Sequence, residues 1–331
     1  VLNMEEKLGY VHKGIEKRFE SLGWPKMARL AGRVSGDSTV AHALGFCMAF
    51  EKLSGAKSAE RANWIRALLL ERERMANHLA DLAAITNDTS FTFCFYQFWN
   101  LRERMLRTNQ KLFGHRLLMD VVTPGGVAND LDHGGVSAIL EEFKFILPEF
   151  ERIAEIFDGR PSLKDRLYNT GVLLPAVAEN LGLVGFAGRA SGRDLDARKQ
   201  WLFSPYDVVA PNTHVLHSGD VHARAWMRIE EFRDSARMIK EFLGLMPKGA
   251  VVTPPLAPPP NTAGFSAVEG WRGEIIYWLK TAPDGSLGRC MVRDPSNVNW
   301  LALEQSVKAD MVPDFPVNNK SWNNSYSGND L

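Results

Sequence analysis

Arg33-Val34-Ser35-Gly36-Asp37-Ser38, which leads into an apolar stretch through His42, and Asn323-Asn324-Ser325-Tyr326-Ser327-Gly328, far along the chain, together decide how this sequence reads. Each places two small residues three positions apart: Ser35 and Ser38 in the first, Ser325 and Gly328 in the second. Cysteine at those four positions would turn the segments into R-x-C-G-x-C and C-x-x-C. None of the four is cysteine. A serine hydroxyl keeps its proton near neutral pH and is a hard donor, and glycine offers no side chain at all.

Outward from these segments, helical periodicity dominates. Between Ala59 and Leu82 apolar residues recur at Trp64, Ala67, Leu68, Met75, Leu79 and Leu82, with charges between them. Glu71, Arg74 and His78 stand at i, i+3 and i+7 and share one face, which reads either as an interior polar network or as a solvated strip. Further helices are predicted over 39–53, 95–113, 135–157 and 220–245. Met246 to Pro260, with six prolines, reads as an extended connector. Gly273–Thr281 and Leu287–Val292 flank Ala282-Pro283-Asp284-Gly285-Ser286 and predict a β-hairpin. The last thirty residues have little helix periodicity.

Lysine plus arginine balances aspartate plus glutamate at 39 each, so no global field draws the chain to nucleic acid or an anionic membrane. Cys47, Cys94 and Cys290 are scattered and odd in number, which fits buried, reduced thiols in a cytosol-like compartment. The longest apolar run, 171–188, is broken by Glu179 and Asn180. His214, His217 and His222 lie close in sequence, but no second ligand pair accompanies them, and a hydrogen-bonding loop is the better reading. The aromatic cluster from Phe91 to Trp99 is read as packing or subunit contact. Gly125-Gly126 after Pro124 is a turn, since no strand–glycine–lysine pattern surrounds it.

Several stretches match one superfamily in order. Tyr10-Val11-His12-Lys13-Gly14-Ile15-Glu16-Lys17 resembles Y-x-H-R-G-x-E-K, and Thr123-Pro124-Gly125-Gly126-Val127 resembles R-P-G-G-V. Arg189-Ala190-Ser191-Gly192 with Asp196, Arg198, Pro205 and Tyr206 is similar to R-A-S-G-x-x-x-D-x-R-x-x-x-P-Y. Arg228-Ile229-Glu230-Glu231 and Glu269-Gly270-Trp271-Arg272-Gly273-Glu274 resemble R-I-x-E and E-A-P-R-G-E. The chain thus resembles the large subunits of membrane-bound nickel–iron hydrogenases and the 49-kDa (D) subunit of respiratory complex I. Its likeness is strongest to formate-hydrogenlyase and hydrogenase-4 type subunits, often fused behind a C-subunit-like domain. The start at Val1, almost directly in a helix-like segment, is read as the C-terminal portion of a longer polypeptide.

The resemblance implies a mainly α (α+β) fold: a helical body over 1–250, a connector and β-hairpin over 251–300, and a tail over 301–331 that returns to the former metal site, all within one structural domain. In the hydrogenase pattern four cysteinates bind nickel, and two of them bridge to iron. Ser35, Ser38, Ser325 and Gly328 are the vestigial positions, so no metal is expected here and the chain is not expected to be an active nickel–iron hydrogenase. Arg33, Asp37, His42 and Arg272 line the corresponding pocket. Asp37 reads either as the partner of an arginine in a cavity emptied of metal or as a helix-terminal aspartate, and His42 as either a pocket or a core histidine. No residue is assigned a catalytic role.

By the same resemblance the chain is the large core subunit of a membrane oxidoreductase, peripheral on the cytoplasmic face of the inner membrane. It binds no cofactor itself, and a 4Fe–4S cluster is expected in an iron–sulfur small subunit of the complex I B type. The C-subunit-like domain and the membrane-arm subunits are further expected partners, and nucleic acid is not. Two functions are weighed, the first preferred and the second its alternative. The vacated cavity receives a quinone or another small acceptor, or the chain is a non-catalytic scaffold that docks the iron–sulfur partner. A free, water-accessible cavity lined by Arg33, Asp37, His42 and Arg272 favours the first, and mutual salt bridges without free volume favour the second.

Overall fold

The structure, a computed structural model, describes residues 1–308 and 310–331. It is mainly helical. Five long helices form the body: α1 (Thr39–Ser54), α2 (Glu60–Asp88), α3 (Thr92–Phe113), α4 (His133–Gly159) and α5 (Val221–Leu245). All five were legible from periodicity, although α2 runs six residues beyond its predicted end. Their ends follow ordinary capping chemistry. Asp132 and Asp220 accept from the backbone N–H of Gly135 and Ala223 at 2.7 Å, starting α4 and α5. Gly55 and Gly114 close α1 and α3 with φ of 71° and 77°.

The helix α2 lies at the centre, packed by α3 on one side and α5 on another. Nearly every residue from Ala62 to Ala83 is buried, including Glu71, Arg72, Glu73, Arg74, His78 and Asp81. The solvated-strip reading of Glu71-Arg72-Glu73-Arg74 therefore does not hold. The charges face inward because partners on other elements satisfy them.

A three-stranded antiparallel sheet covers α1: β1 (Ala263–Gly270), β2 (Gly273–Thr281) and β3 (Leu287–Arg293), in that spatial order. The hairpin β2–β3 was predicted. Strand β1 was not, because it follows the prolines immediately and its Ala263-Gly264 start carries no β-rich signature. Sheet and helix approach closely where α1 presents Gly45. A Cβ there would come to 2.9 Å from the Tyr277 ring, and Ser266 donates to the Gly45 carbonyl at 2.6 Å.

The tail is ordered into three short helices, α6 (Ser296–Ser306), α7 (Phe315–Trp322) and α8 (Tyr326–Asp330). Their weak periodicity has a physical reason: α7 buries Asn318 and Ser321 as well as Val317 and Trp322. Arg224 and Arg228 of α5 hold it, through Asn318 Oδ1 at 3.0 Å, Ser321 Oγ at 2.8 Å and the Ser321 carbonyl at 2.7 Å. The N-terminal segment straps the tail down. Gly9 and Val11 donate backbone N–H groups to the Asp330 carboxylate at 2.9 and 3.0 Å, and Lys13 to the Leu331 carbonyl at 2.8 Å. Among the described residues no helix is long and apolar enough to cross a membrane.

Candidate functional site

The turn before α1, the β1–β2 turn and the tail meet at one point. The hydroxyls of Ser35 and Ser325, 290 positions apart, lie 3.0 Å from each other and are buried. Ser325 Oγ also accepts the Gly328 N–H at 2.8 Å, capping α8, while the Ser325 N–H donates to Ser296 Oγ at 2.9 Å. The Ser38 hydroxyl is 3.4 Å from Arg272 Nη1. A Cβ at Gly328 would stand 2.4 Å from Asp294 Oδ2, so the carboxylate of Asp294 occupies the space of any side chain at the fourth position.

Asp37 and Arg272 form a two-pronged ion pair, with Nη1–Oδ1 at 2.9 Å and Nη2–Oδ2 at 2.5 Å. Ser35 Oγ donates to Asp37 Oδ1 at 2.7 Å. Arg272 Nε donates to the Asn323 carbonyl at 2.6 Å, and the guanidinium lies 3.9 Å from the Trp271 ring centroid. Burial pushes the Asp37 carboxyl up, but Arg272 outweighs it and holds the group down at about 2. The Asp37 side chain nevertheless keeps 38% of its surface open, against 5% for Arg272, so water screens one side of the pair.

His42 is fully buried between Asp294 and Tyr277, with Nε2 3.1 Å from Asp294 Oδ2 and Nδ1 3.1 Å from Tyr277 Oη. Burial raises the Asp294 carboxyl, and the hydrogen bond from His42 together with the Arg272 charge reverses the effect, keeping it ionised. Burial raises the Tyr277 phenol well above its ordinary range. The partners therefore assign the ring: Nε2–H donates to Asp294, and Nδ1 accepts from the Tyr277 hydroxyl. Arg33 does not join these groups. It is exposed and turns outward to Asp120, with Nη2–Oδ2 at 2.8 Å.

The cavity at Asp37, lined also by Gly36, Glu73, Asn77, Arg102, Asn109 and Arg116, has a volume of about 10 Å³. That is at most the room of one water. Three hydroxyls committed to internal hydrogen bonds and a glycine whose side-chain space is filled do not fit a nickel–iron centre, which needs four soft thiolates.

A charged network behind the site fixes the β1–β2 turn. Glu71 accepts from Arg74 at 3.0 Å, Arg198 at 3.1 Å, Ser235 at 2.6 Å and Tyr206 at 2.5 Å. Burial alone would raise its pKa, but Arg74 and Arg198 prevail and lower it. Arg189 bridges Glu231 at 2.6 Å and Glu269 at 2.9 Å, and His78 Nε2 lies 2.9 Å from Glu231. Arg74 donates onward to the carbonyls of Glu269 and Gly270 at 2.7 and 3.0 Å, which pins the two residues preceding Trp271 and Arg272.

Sequence reasoning missed three members of this site. Asp294 and Tyr277 carried no signal, since one follows a strand and the other is an ordinary strand aromatic. Glu73 was quoted only as part of a charge run. It accepts the N–H groups of Val40 and Ala41 at 2.6 and 3.1 Å, supplying the cap of α1 that Ser38 does not make. Burial pushes its carboxyl up to about 8. The three histidines gather no metal set: His214 and His222 sit 3.9 and 3.7 Å from separate carboxylates, Glu230 and Asp158. Among the described residues no group of three His, Cys, Asp or Glu side chains could hold a metal ion.

This geometry has relatives. Residues 88–263 match the family of the respiratory-chain NADH dehydrogenase 49-kDa subunit. The carbon monoxide-induced hydrogenase of Rhodospirillum rubrum is 30% identical over 318 residues, covering 96% of this chain and 88% of that protein. Formate hydrogenlyase subunit 5 of Escherichia coli is 28% identical over all of this chain, which spans 58% of that longer protein. The fold superposes with a TM-score of 0.94 on a chain from the structure of the membrane-bound sulfane sulfur reductase, an archaeal respiratory membrane complex, at 24% identity over 100% of this chain and 91% of the other. The chain belongs to the complex I 49-kDa subunit family, within the hydrogenase-like large-subunit superfamily. It is a core subunit of the complex I-like and hydrogenase-like type.

Proposed function

We propose that this chain works in its membrane oxidoreductase without a nickel–iron centre, as a structural core subunit whose former metal site has been sealed with polar groups. Electrons reach the complex through an iron–sulfur cluster in a small partner subunit, because Cys47, Cys94 and Cys290 are buried and too dispersed to bind a cluster here. The chain sits on the cytoplasmic face, tied to the membrane through its partners. The observation that carries this reading is the closed set of contacts: Asp37 with Arg272, Ser35 with Ser325, and Asp294 with His42 against Gly328. The Asp37–Arg272 pair and the Ser35–Ser325 contact already take up the polar groups that would hold a quinone headgroup, so this reading assigns no quinone to the point where they meet.

The test is purification of the tagged complex from its own host. The reading expects stoichiometric iron and acid-labile sulfide in a small co-purifying subunit, no nickel, and no hydrogen-dependent activity. It also expects quinone analogues to leave the melting temperature of this subunit unchanged. Stoichiometric nickel, or a quinone-induced stabilisation abolished by Asp37→Ala, overturns it.

A further inference from the structure

Pro254-Pro255-Leu256-Ala257-Pro258-Pro259-Pro260 links α5 to β1, and the sealed site makes no use of it. Covalent geometry all but fixes its shape. A proline ring holds φ near −65°, and a residue before a proline is kept extended. Only Leu256 escapes both constraints. The segment is accordingly neither helix nor strand, and reads as a left-handed polyproline helix rising about 3.1 Å per residue, roughly 20 Å in all.

Both ends are pinned. Upstream, Thr253 donates its N–H to the Gly125 carbonyl and Val127 donates to the Val251 carbonyl, each at 2.9 Å. A Cβ on Gly125 or Gly126 would overlap the carbonyls of Thr253 and Val251, so only glycine lets that turn meet the segment this closely. Downstream, the hydroxyls of Thr262 and Thr281 donate to the Pro259 carbonyl at 2.6 and 2.7 Å. Asn261, with φ of 54°, then turns the chain toward β1. Between the pins the backbone is unbonded: among the described residues the N–H groups of Leu256 and Ala257 and the carbonyls from Pro254 to Pro258 have no protein partner. Three residues make one turn of a polyproline helix, so Pro258 shares an edge with Pro255, and Pro254–Ala257–Pro260 and Leu256–Pro259 form the other two. Pro258 is the one buried residue of the seven, and Leu256 is 55% exposed. The arch thus turns two apolar edges to solvent.

We propose that this arch docks into a groove of another protein lined by tyrosine and tryptophan rings. Proline rings and Leu256 fit between such rings, and phenol O–H and indole N–H groups are the donors that the free carbonyls lack. Pinned ends and preset prolines leave little conformational entropy to lose on binding. A lipid surface does not match, because the unbonded backbone groups would enter hydrocarbon without partners. Charge does not guide the contact either, since no residue from Gly249 to Val268 is charged. Shape and stacking carry it, independently of the sealed site.

The test places the photo-reactive p-benzoylphenylalanine at Ala257 and, in a second variant, at Val252 beside the arch, in the full chain within its native complex. Irradiation is expected to join it to a different protein chain at a peptide containing tyrosine or tryptophan, identified by mass spectrometry. A synthetic peptide of residues 251–262 is expected to compete. Salt at about 1 M, where charges are screened within about 3 Å, should leave the yield unchanged. Leu256→Asp should lower the yield about tenfold. Pro254→Gly with Pro255→Gly, which frees the backbone and keeps Leu256, should lower it about threefold or more. Lys248→Glu, outside the arch, should leave it unchanged, and an unchanged melting temperature controls for folding. The proposal is overturned if neither position cross-links, or if the product lies within this chain, on lipid, or at a site without aromatic rings. A yield indifferent to Leu256→Asp or to the double glycine variant overturns it equally.

Discussion

Asp294 Oδ2 stands 2.4 Å from where a Cβ of Gly328 would be, so the last of the four vestigial positions is occupied by a neighbour rather than open. The absence of a side chain at 328 and the placement of Asp294 are one structural fact. Gly328→Ala is expected to destabilise the chain by roughly 1–3 kcal/mol through overpacking. In Asp294→Ala that cost should shrink, giving a non-additive double-mutant cycle in urea unfolding. Additive effects would show that the two positions do not share the space.

The same overlap limits what cysteine at the four positions can hold. Cysteine at 35, 38, 325 and 328 together should still fail to bind nickel unless Asp294 is also shortened. Elemental analysis of the four-cysteine and five-site variants separates the two cases, and nickel in the former would contradict the blocked position.

Asp37→Ala leaves the Arg272 guanidinium with the Asn323 carbonyl, the Ser38 hydroxyl at 3.4 Å and the Trp271 ring. Loss of one partner of a fully buried pair costs about 3–5 kcal/mol. Asp37 is more than a third open to solvent, and the screened pair should cost about 1–2 kcal/mol in this chain. Arg33→Ala breaks an exposed pair with Asp120 and should change stability by less than about 1 kcal/mol. Equal costs for the two changes would put Arg33 back in the site.

Glu73 and Glu6 each take stability away as pH rises through the neutral range, while buried His78 and His222, whose pKa values burial lowers, act in the opposite sense. Burial holds Glu73 at about 8, and burial together with Glu304 holds Glu6 at about 7, both above their unfolded value of 4.5. Between about pH 5 and 8 these two groups therefore keep protons in the native state that the unfolded chain has released, and their contribution falls as pH rises. Asp37, held at about 2, acts oppositely, and its contribution is lost only as pH falls below about 4. Relative to the parent chain, Glu73→Gln should lose less, or gain more, melting temperature on going from about pH 5 to 8, which changes the slope by the Glu73 share alone. An unchanged slope would mean that Glu73 is ionised throughout.

Helical periodicity made the five long helices legible, and two short segments announced where the ends of the chain would meet. The interior of α2 was harder, because spacing cannot tell a charge facing water from one facing Arg198 or Glu231 at a separation of 127 or 153 positions. The tail was obscure for a related reason: Asn318 and Ser321 are buried and Asn323 half-buried, polar residues satisfied by α5 and α2, and hydropathy counts them as surface. Arg33 was placed in the pocket by its position beside Ser35, but Asp120, in a distant loop, draws it outward. Asp294 had no local signature, since its meaning comes only from the missing side chain at Gly328.

The strap of residues 9–13 across Asp330 and Leu331 sets the order in which the molecule can be made. On the ribosome the β1–β2 turn and the turn bearing Asp37 emerge well before the segment that closes over them. Until then Ser35, Arg272 and Asp294 each lack contacts they have in the finished protein, and the N-terminal residues have nothing to grip. A nascent chain must therefore wait with its centre open to water, and a chaperone or the arriving iron–sulfur subunit would find there a surface that the completed protein no longer shows.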